Sequence, residues 1–233
     1  MSDLAQAVIF DLDGTLVDSE PLYYESARRL FIDHGVRDYT WSDHEEFVGV
    51  GTKETLEVLR ERYGIVTAVE ELLRQQNRCY LELAGRSMHV FPQMRRLVGL
   101  LRGAGLPMAI ASGSSRAAIM SVLRSAGLDD MISVVVSAEE VGRGKPAPDV
   151  FLEAAQRLGA APGRCVVIED AVPGVEAAYR AGMSCIAVPA GGTDVASFAT
   201  AGLVFAEGRS AFVAETAYVW ICGGSARRRD TRR

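Results

Sequence analysis

Cysteine is scarce in this chain of 233 residues, and its four cysteines lie far apart. They are Cys79, Cys165, Cys185 and Cys222, and no two of them form a C-x-x-C pair. This spacing argues against a zinc site and against a disulfide framework. Isolated cysteines are typical of a reducing compartment, so we expect a cytoplasmic protein.

Long apolar runs and excess positive charge are lacking as well. No apolar stretch approaches the ~18–20 residues of a membrane span, and we expect no secretory signal because only a few apolar residues precede Asp11. The net charge of −5 gives no electrostatic attraction to nucleic acids or anionic membranes. We therefore expect neither a nucleic-acid partner nor a membrane partner.

The C-terminal end departs from this charge balance. Residues 225–233 contain five arginines and one aspartate. Such a run is either an arm that binds a polyanion or a disordered end. Because chain termini are poorly ordered by default, we predict a disordered basic tail over residues 223–233.

From about residue 90 onward, short apolar runs alternate with amphipathic segments. Buried parallel strands are predicted at 107–111, 132–136, 165–168 and 184–188. Helical faces lie between them, for example Phe151, Ala154, Ala155 and Leu158. The alternation predicts an α/β fold with a doubly wound, Rossmann-like parallel sheet. In such sheets the ligand site lies at the carboxyl ends of the strands.

Residues 18–88 interrupt the alternation and show only helix signals. Ser42-x-x-Glu45 and Thr67-x-x-Glu70 have the pattern of capping boxes. The block is a lid over the end of the first strand, or a set of helices packed on one face of the sheet. Its length favours a separate helical cap domain over 18–88, inserted into a core of residues 1–17 and 89–222.

Asp11 and Asp13 directly follow the apolar run 7–10 and lead into Gly14. Two carboxylates one residue apart repel each other and are costly to desolvate at the end of a buried strand. Such a pair is tolerated where a cation neutralises it or where one member is a nucleophile. The alternative is a strand that ends in an ordinary turn capped by aspartates.

Polar residues also follow the other predicted strands. Ser112 and Gly113 precede a helix, Lys145 lies in a loop bounded by prolines, and Glu169 and Asp170 form a second acidic pair. Singly they are compatible with a serine N-cap, a surface lysine and a helix N-terminal acid pair. Together they indicate one negative crevice, which suits Mg²⁺ with a phosphate substrate.

At this point the chain resembles the haloacid dehalogenase superfamily, and in particular its β-phosphoglucomutase-like and phosphatase members with a helical cap. The stretches that carry the resemblance are FDLDGTLVDSEP at 10–21, ASGSS at 111–115, GRGKPAPDVF at 142–151 and VIEDAVPGVEAA at 167–178. They follow the family's order and span the predicted core. They are specific for Mg²⁺-dependent phosphotransfer and say little about the substrate.

The resemblance implies a role for each acidic residue. Asp11 would be the nucleophile that forms an aspartyl-phosphate. Asp13 would be the general acid and then the general base, and its backbone carbonyl would bind the metal. Asp170 with Glu169 would complete the Mg²⁺ site, so the implied metal residues are Asp11, Asp13, Glu169 and Asp170.

The resemblance also implies a phosphate site made of Ser112, Gly113 and Lys145, with Ser112 and Lys145 counted among the catalytic residues. These groups would hold the transferring phosphoryl oxygens and offset their charge. The partner would be a small-molecule phosphomonoester, and we expect a monomer.

The residues also bear on the choice within the superfamily. Halide leaves without a proton, so Asp13 argues against a dehalogenase. The family's sugar mutases carry a histidine and basic cap residues where this chain has Tyr23, Thr52 and Gln76, although Lys53 or Arg74 could substitute. We therefore expect a phosphatase of a sugar phosphate or similar metabolite. A β-phosphoglucomutase-type mutase and a non-catalytic phosphometabolite-binding protein stay as alternatives.

Overall fold

The computed structural model describes residues 5–48, 50–86, 88–190 and 193–223. The chain divides into two compact units, one of Met1–Asp18 with His89–Arg233 and the other of Ser19–Met88. Of the predicted basic tail, residues 224–233 lie outside the described residues.

Strands and helices alternate through most of the chain. The strands are β1 Ala7–Phe10, β2 Val17–Asp18, β3 His89–Val90, β4 Met108–Ser112, β5 Val134–Ser137, β6 Cys165–Glu169, β7 Ser184–Ala187 and β8 Leu203–Val204. The helices are α1 Glu20–Asp33, α2 Trp41–Glu45, α3 Thr52–Arg62, α4 Val69–Ala84, α5 Pro92–Gly103, α6 Arg116–Ala126, α7 Asp149–Leu158, α8 Val172–Arg180 and α9 Ala214–Cys222.

Six of the described strands form one sheet in the order β5-β4-β1-β6-β7-β8. Every neighbouring pair is parallel. Phe10, at the end of β1, is in register with Ile110 of β4 and with Ile168 of β6. The residues that follow these three strands therefore emerge side by side at one edge. The predicted doubly wound α/β fold is confirmed.

The core of this unit is built from strands that are buried on both faces. The whole of β1, β4 and β6 is buried, as expected for parallel strands covered by helices. Helix α7 buries Phe151, Ala154 and Ala155 in the same apolar cluster as Ile9 and Val167. This packing fixes the position of the last residue of each strand at the carboxyl edge of the sheet.

The second unit contains helices α1 to α4 and no strand among its described residues. Helix α1 packs along α4 around Leu30, Phe31 and Leu72. Both predicted capping boxes are wrong. Helix α2 begins two residues earlier than the Ser42 box predicts, because Thr40 and Asp43 form the box. Helix α4 begins after Ala68 and has no side-chain cap.

A short antiparallel ribbon joins β2 and β3, the two strands next to the inserted unit in the sequence. Val17 is paired with Val90, and Asp18 is paired with His89. The chain thus leaves the first unit on β2 and returns to it on β3. In the part of the chain that is described, no helix combines the length and the apolar character needed to cross a bilayer.

Candidate active site

A tight loop places Asp11 and Asp13 at the edge of the sheet. The Asp11 amide donates to the Ile168 carbonyl at 2.9 Å, which continues the pairing with β6 for one residue. Gly14 then turns the chain with φ +80°, a conformation that favours glycine. A Cβ atom at this position would lie 2.3 Å from Asp170 Oδ2. The glycine is therefore required both by the turn and by its acidic neighbour.

Lys145 lies between two of the predicted acidic residues. Its Nζ donates to Asp11 Oδ1 at 2.5 Å and to Glu169 Oε1 at 2.8 Å, and it lies 5.0 Å from the centre of the Phe151 ring. Burial opposes the charge of the ammonium, but the two carboxylates outweigh burial and raise the pKa of Lys145. The lysine is thus a fixed cation at the end of β1.

Glu169 is fully enclosed at the end of β6. Its Oε2 accepts hydrogen bonds from the backbone amides of Asp170 and Ala171, both at 2.8 Å. A Cβ atom at Gly174 would lie 1.7 Å from Glu169 Oε1, so the first turn of α8 leaves room for this carboxyl only because residue 174 is glycine. Burial raises the pKa of Glu169, although Lys145 works against that shift.

Asp170 is held from two sides. Thr15 Oγ1 donates to its Oδ1 at 2.9 Å, and Arg209 Nη2 lies 3.4 Å from its Oδ2. Burial, and then the charges of Glu169 and Asp11, raise its pKa well above the ordinary range. This carboxyl would therefore lose its proton more readily if a cation were bound beside it.

Three carboxylates meet where these strands end. Asp11, Glu169 and Asp170 each offer an oxygen within 4.8 Å of the others, and in the described part of the chain this is the one such cluster of acidic, histidine or cysteine ligands. Buried carboxylates that repel each other are a donor set for a hard divalent cation. The grouping fits Mg²⁺ on the chemistry of its oxygens.

The Asp13 side chain is directed to the neighbouring strand end. Its Oδ2 accepts hydrogen bonds from Ser114 Oγ at 2.6 Å and from Ser112 Oγ at 3.3 Å. The Ser112 hydroxyl also accepts from the Ser114 amide at 3.0 Å, and Gly113 between them is exposed. Among the described residues, Asp13 is not a member of the side-chain cluster that could hold a metal.

The predicted residues thus form two adjoining groups. Lys145 lies with Asp11 and the acidic pair after β6, whereas Ser112 and Gly113 lie with Asp13. Because Asp11 and Asp13 are separated by one residue on the same loop, both groups are at the carboxyl edge of the sheet.

Sequence reasoning missed three residues of this site. Thr15 and Ser114 lie inside the motif stretches but are not assigned a role there, although each donates a hydrogen bond to a predicted carboxylate. Arg209 lies in no motif. It reaches Gly14 across 195 residues of sequence, and no local pattern signals a contact of that kind.

The comparisons with known proteins agree with the fold and the motifs. The family model of the haloacid dehalogenase-like hydrolases matches residues 8–188. A bifunctional riboflavin kinase/FMN phosphatase from Arabidopsis thaliana is 37% identical over 195 residues, which is 81% of this chain and 50% of that protein. The chain therefore spans about half the length of this plant relative.

Two further relatives match over most of their own length. A phosphorylated carbohydrates phosphatase from Thermotoga maritima is 33% identical over 185 residues, covering 78% of this chain and 83% of that protein. The crystal structure of β-phosphoglucomutase from Clostridium difficile superposes with a TM-score of 0.72 at 25% identity, covering 92% of this chain and 96% of that one.

Proposed function

The chain belongs to the haloacid dehalogenase-like hydrolase family, and we propose that it is a Mg²⁺-dependent phosphatase that acts through an aspartyl-phosphate on Asp11. As a member of this family and a relative of proteins named as phosphatases, it is a phosphoric monoester hydrolase. One observation carries the mechanism: the buried Asp11 carboxylate is bonded to Lys145 beside two further carboxylates.

The metal assignment is supported by the donor set. Asp11 and Asp170 would hold Mg²⁺ with their side chains, and the family resemblance adds the backbone carbonyl of Asp13. Glu169 is engaged by Lys145 and by two amides, so its part is to hold Lys145. When bound, Mg²⁺ supplies positive charge that offsets the carboxylates and a transferring phosphoryl group.

Asp11 and Asp13 divide the covalent chemistry between them. A carboxylate oxygen of Asp11 forms a bond to phosphorus while the bond from phosphorus to the ester oxygen breaks. Asp13 gives its proton to the departing alkoxide and later takes a proton from the water that hydrolyses the aspartyl-phosphate. The hydroxyls of Ser112 and Ser114 orient the Asp13 carboxyl for both transfers.

Lys145 and the turn after β4 form the phosphate site of this proposal. The Lys145 ammonium is already placed at Asp11, where it would neutralise oxygens of a phosphoryl group that approaches the nucleophile. Ser112 and the exposed Gly113 precede α6, whose N-terminus favours anions. The substrate would be a small phosphomonoester such as a sugar phosphate.

Activity and its dependence on Asp11 test the proposal together. The purified protein with Mg²⁺ should release phosphate from an aryl phosphate and from at least one member of a sugar phosphate panel. Asp11→Asn and EDTA should each abolish release, whereas the exposed Asp129→Asn should leave it unchanged. Turnover that persists in Asp11→Asn would overturn the aspartyl-phosphate mechanism.

A mutase is the second candidate, because the chain resembles a solved β-phosphoglucomutase. A mutase must bind a second, distal phosphate, which calls for basic groups in the helical unit. There Lys53 pairs with Glu70 at 3.4 Å and Arg74 pairs with Glu71, so both cations are already engaged. Conversion of β-glucose 1-phosphate to glucose 6-phosphate with a bisphosphate activator would favour the mutase. Ligand binding without turnover across the panel would favour a binding protein.

A further inference from the structure

Arg209 contacts the loop after β1 from a distant part of the sequence. It lies in the 3₁₀ turn Gly208–Ser210, between β8 and α9. Its Nε and Nη2 donate to the Gly14 carbonyl at 2.8 and 2.6 Å. The same Nη2 lies 3.4 Å from Asp170 Oδ2. One guanidinium thus contacts both the loop that carries Asp11 and an acidic residue of the candidate metal site.

The turn that presents Arg209 is built around a glycine. Gly208 has φ +64°, and a Cβ atom there would lie 2.3 Å from the Pro189 carbonyl oxygen. The Gly208 amide donates to the Phe205 carbonyl at 2.8 Å. The backbone is therefore held close to the end of β7, and only glycine fits at that approach.

The flat face of the guanidinium is also covered. Its central carbon lies 4.6 Å from the centre of the Phe91 ring, a stacking distance for arginine on an aromatic residue. The Phe91 amide in turn donates to the Leu16 carbonyl at 3.2 Å. Gly14, Phe91 and Asp170, which lie on three separate segments of the first unit, therefore converge on this one side chain.

We propose that Arg209 is a positioning residue, which holds the Gly14 carbonyl and the Asp170 carboxylate in the geometry that the metal site needs. This inference rests on the proposed function, because it concerns the same site. The double hydrogen bond to Gly14 fixes the loop between Asp13 and Thr15, and Thr15 itself donates to Asp170. Arg209 therefore acts on Asp170 both directly and through that loop.

Positioning and simple charge predict different results for Arg209→Lys, which keeps the positive charge beside Asp170. A role as charge alone predicts Mg²⁺ binding like that of the wild type in this variant. A positioning role predicts that binding weakens, because the ligand oxygen and the loop lose their fixed geometry. Partners that orient metal ligands change affinity or activity by about 10-fold or more when they are removed.

The experiment compares Arg209→Lys, Arg209→Gln and the control Arg96→Gln. Lysine keeps the charge but cannot donate from two fixed nitrogens to the Gly14 carbonyl, and glutamine removes the charge. Arg96 is a matched control, because it also links to the C-terminal segment, through an ion pair with Glu215. Mg²⁺ binding is measured by calorimetry without substrate, and kcat and KM are measured separately.

Both Arg209 variants should bind Mg²⁺ about 10-fold more weakly and show a similar loss in kcat, with little change in KM at saturating Mg²⁺. Arg96→Gln should match the wild type in Mg²⁺ affinity, kcat and KM. Unchanged or tighter Mg²⁺ binding in Arg209→Gln would overturn the inference, as would a wild-type dissociation constant in Arg209→Lys.

Mg²⁺ binding and phosphate release, measured separately, distinguish this inference from the proposed function. Wild type that binds Mg²⁺ but releases no phosphate would reject the phosphatase, while weaker binding in the variants would still support Arg209. Wild type that binds no Mg²⁺ would overturn both.

If neither Arg209 variant folds, Phe91→Leu removes the stacked ring and leaves the donors in place. Weaker Mg²⁺ binding there supports the inference, and unchanged binding overturns it.

Discussion

The Nζ atom of Lys145 lies 2.5 Å from Oδ1 of Asp11, the residue that we propose as the nucleophile. The same ammonium bonds Glu169, whose side chain is 2% exposed. Lys145 therefore places one positive charge between these two buried carboxyl groups. We expect Lys145 to contribute to both activity and stability through these two contacts.

Replacement of Lys145 by methionine should cost both stability and activity. The buried carboxylates lose their cation, and we expect the free energy of unfolding to fall by about 3 kcal/mol at neutral pH. The loss should shrink as pH falls, because a protonated Glu169 needs no cation. Urea denaturation at several pH values measures this effect. A variant with wild-type stability at neutral pH would contradict the buried ion pair.

Gly174 gives a steric prediction with a matched control. Gly174→Ala would place a Cβ atom 1.7 Å from Glu169 Oε1, so the carboxyl must shift, and we expect a destabilisation of about 2 kcal/mol with a loss of phosphatase activity. Gly99→Ala, in the exposed helix interior of α5, has no atom within 4 Å of the new Cβ apart from its chain neighbours and the backbone of its own helix. It should stabilise the protein by about 1 kcal/mol. Urea denaturation measures the free energy of unfolding of both variants. Equal changes in the two would contradict the close approach of residue 174 to Glu169.

Thr15 should matter for metal binding through its hydroxyl. Thr15→Val keeps the shape of the side chain but removes the hydrogen bond to Asp170. We expect Mg²⁺ affinity to fall about 10-fold, with recovery in Thr15→Ser, which restores the donor. Calorimetric titration of the three proteins tests this. Thr15→Ser that binds as weakly as Thr15→Val would point to packing instead of the hydrogen bond.

Burial makes Mg²⁺ binding depend on pH. The pKa values of Glu169 and Asp170 are raised in the metal-free protein, first by burial. Because metal binding requires ionised carboxylates, it should release protons and tighten as pH rises. Titrations in buffers with different ionisation enthalpies count the released protons. Affinity that falls with rising pH would contradict the assignment of Asp170 as a ligand.

The same shifts have an opposite consequence for the metal-free fold. Between the ordinary carboxyl pKa and the raised value, the folded protein binds more protons than the unfolded chain. Its stability should therefore decrease as pH rises through that interval, and added Mg²⁺ should restore it. Thermal melts with Mg²⁺ and with EDTA across pH measure the difference.

Patterns confined to a few residues were sufficient to find the described strands of four or more residues, which are β1, β4, β5, β6 and β7. The predicted runs 107–111 and 165–168 overlap β4 and β6 closely, because strands buried on both faces must be continuously apolar. The strands β2, β3 and β8 were not predicted, because a two-residue strand makes no apolar run. The predicted capping boxes were wrong because several serines, threonines and acidic residues near the start of a helix can each occupy the N-cap position.

The site was predictable only as far as the motifs reach. Asp11, Lys145 and Asp170 lie in motif stretches at strand ends, and a parallel sheet brings such ends to one edge. The contacts between them depend on three-dimensional packing. Neither the space that Gly174 leaves for Glu169 nor the reach of Arg209 to Gly14 has a local signal. The role of residues 18–88 as a cap stays a prediction.

The ribbon of β2 and β3 brings the two ends of the helical insertion together. Asp18 and His89 face each other as an antiparallel pair, and residues paired in this way have Cα atoms about 5 Å apart. A two-residue turn such as Asn-Gly would join them as an ordinary hairpin. Grafting another helical insert, or none, between these two positions would leave the sequence of every strand of the six-stranded sheet intact.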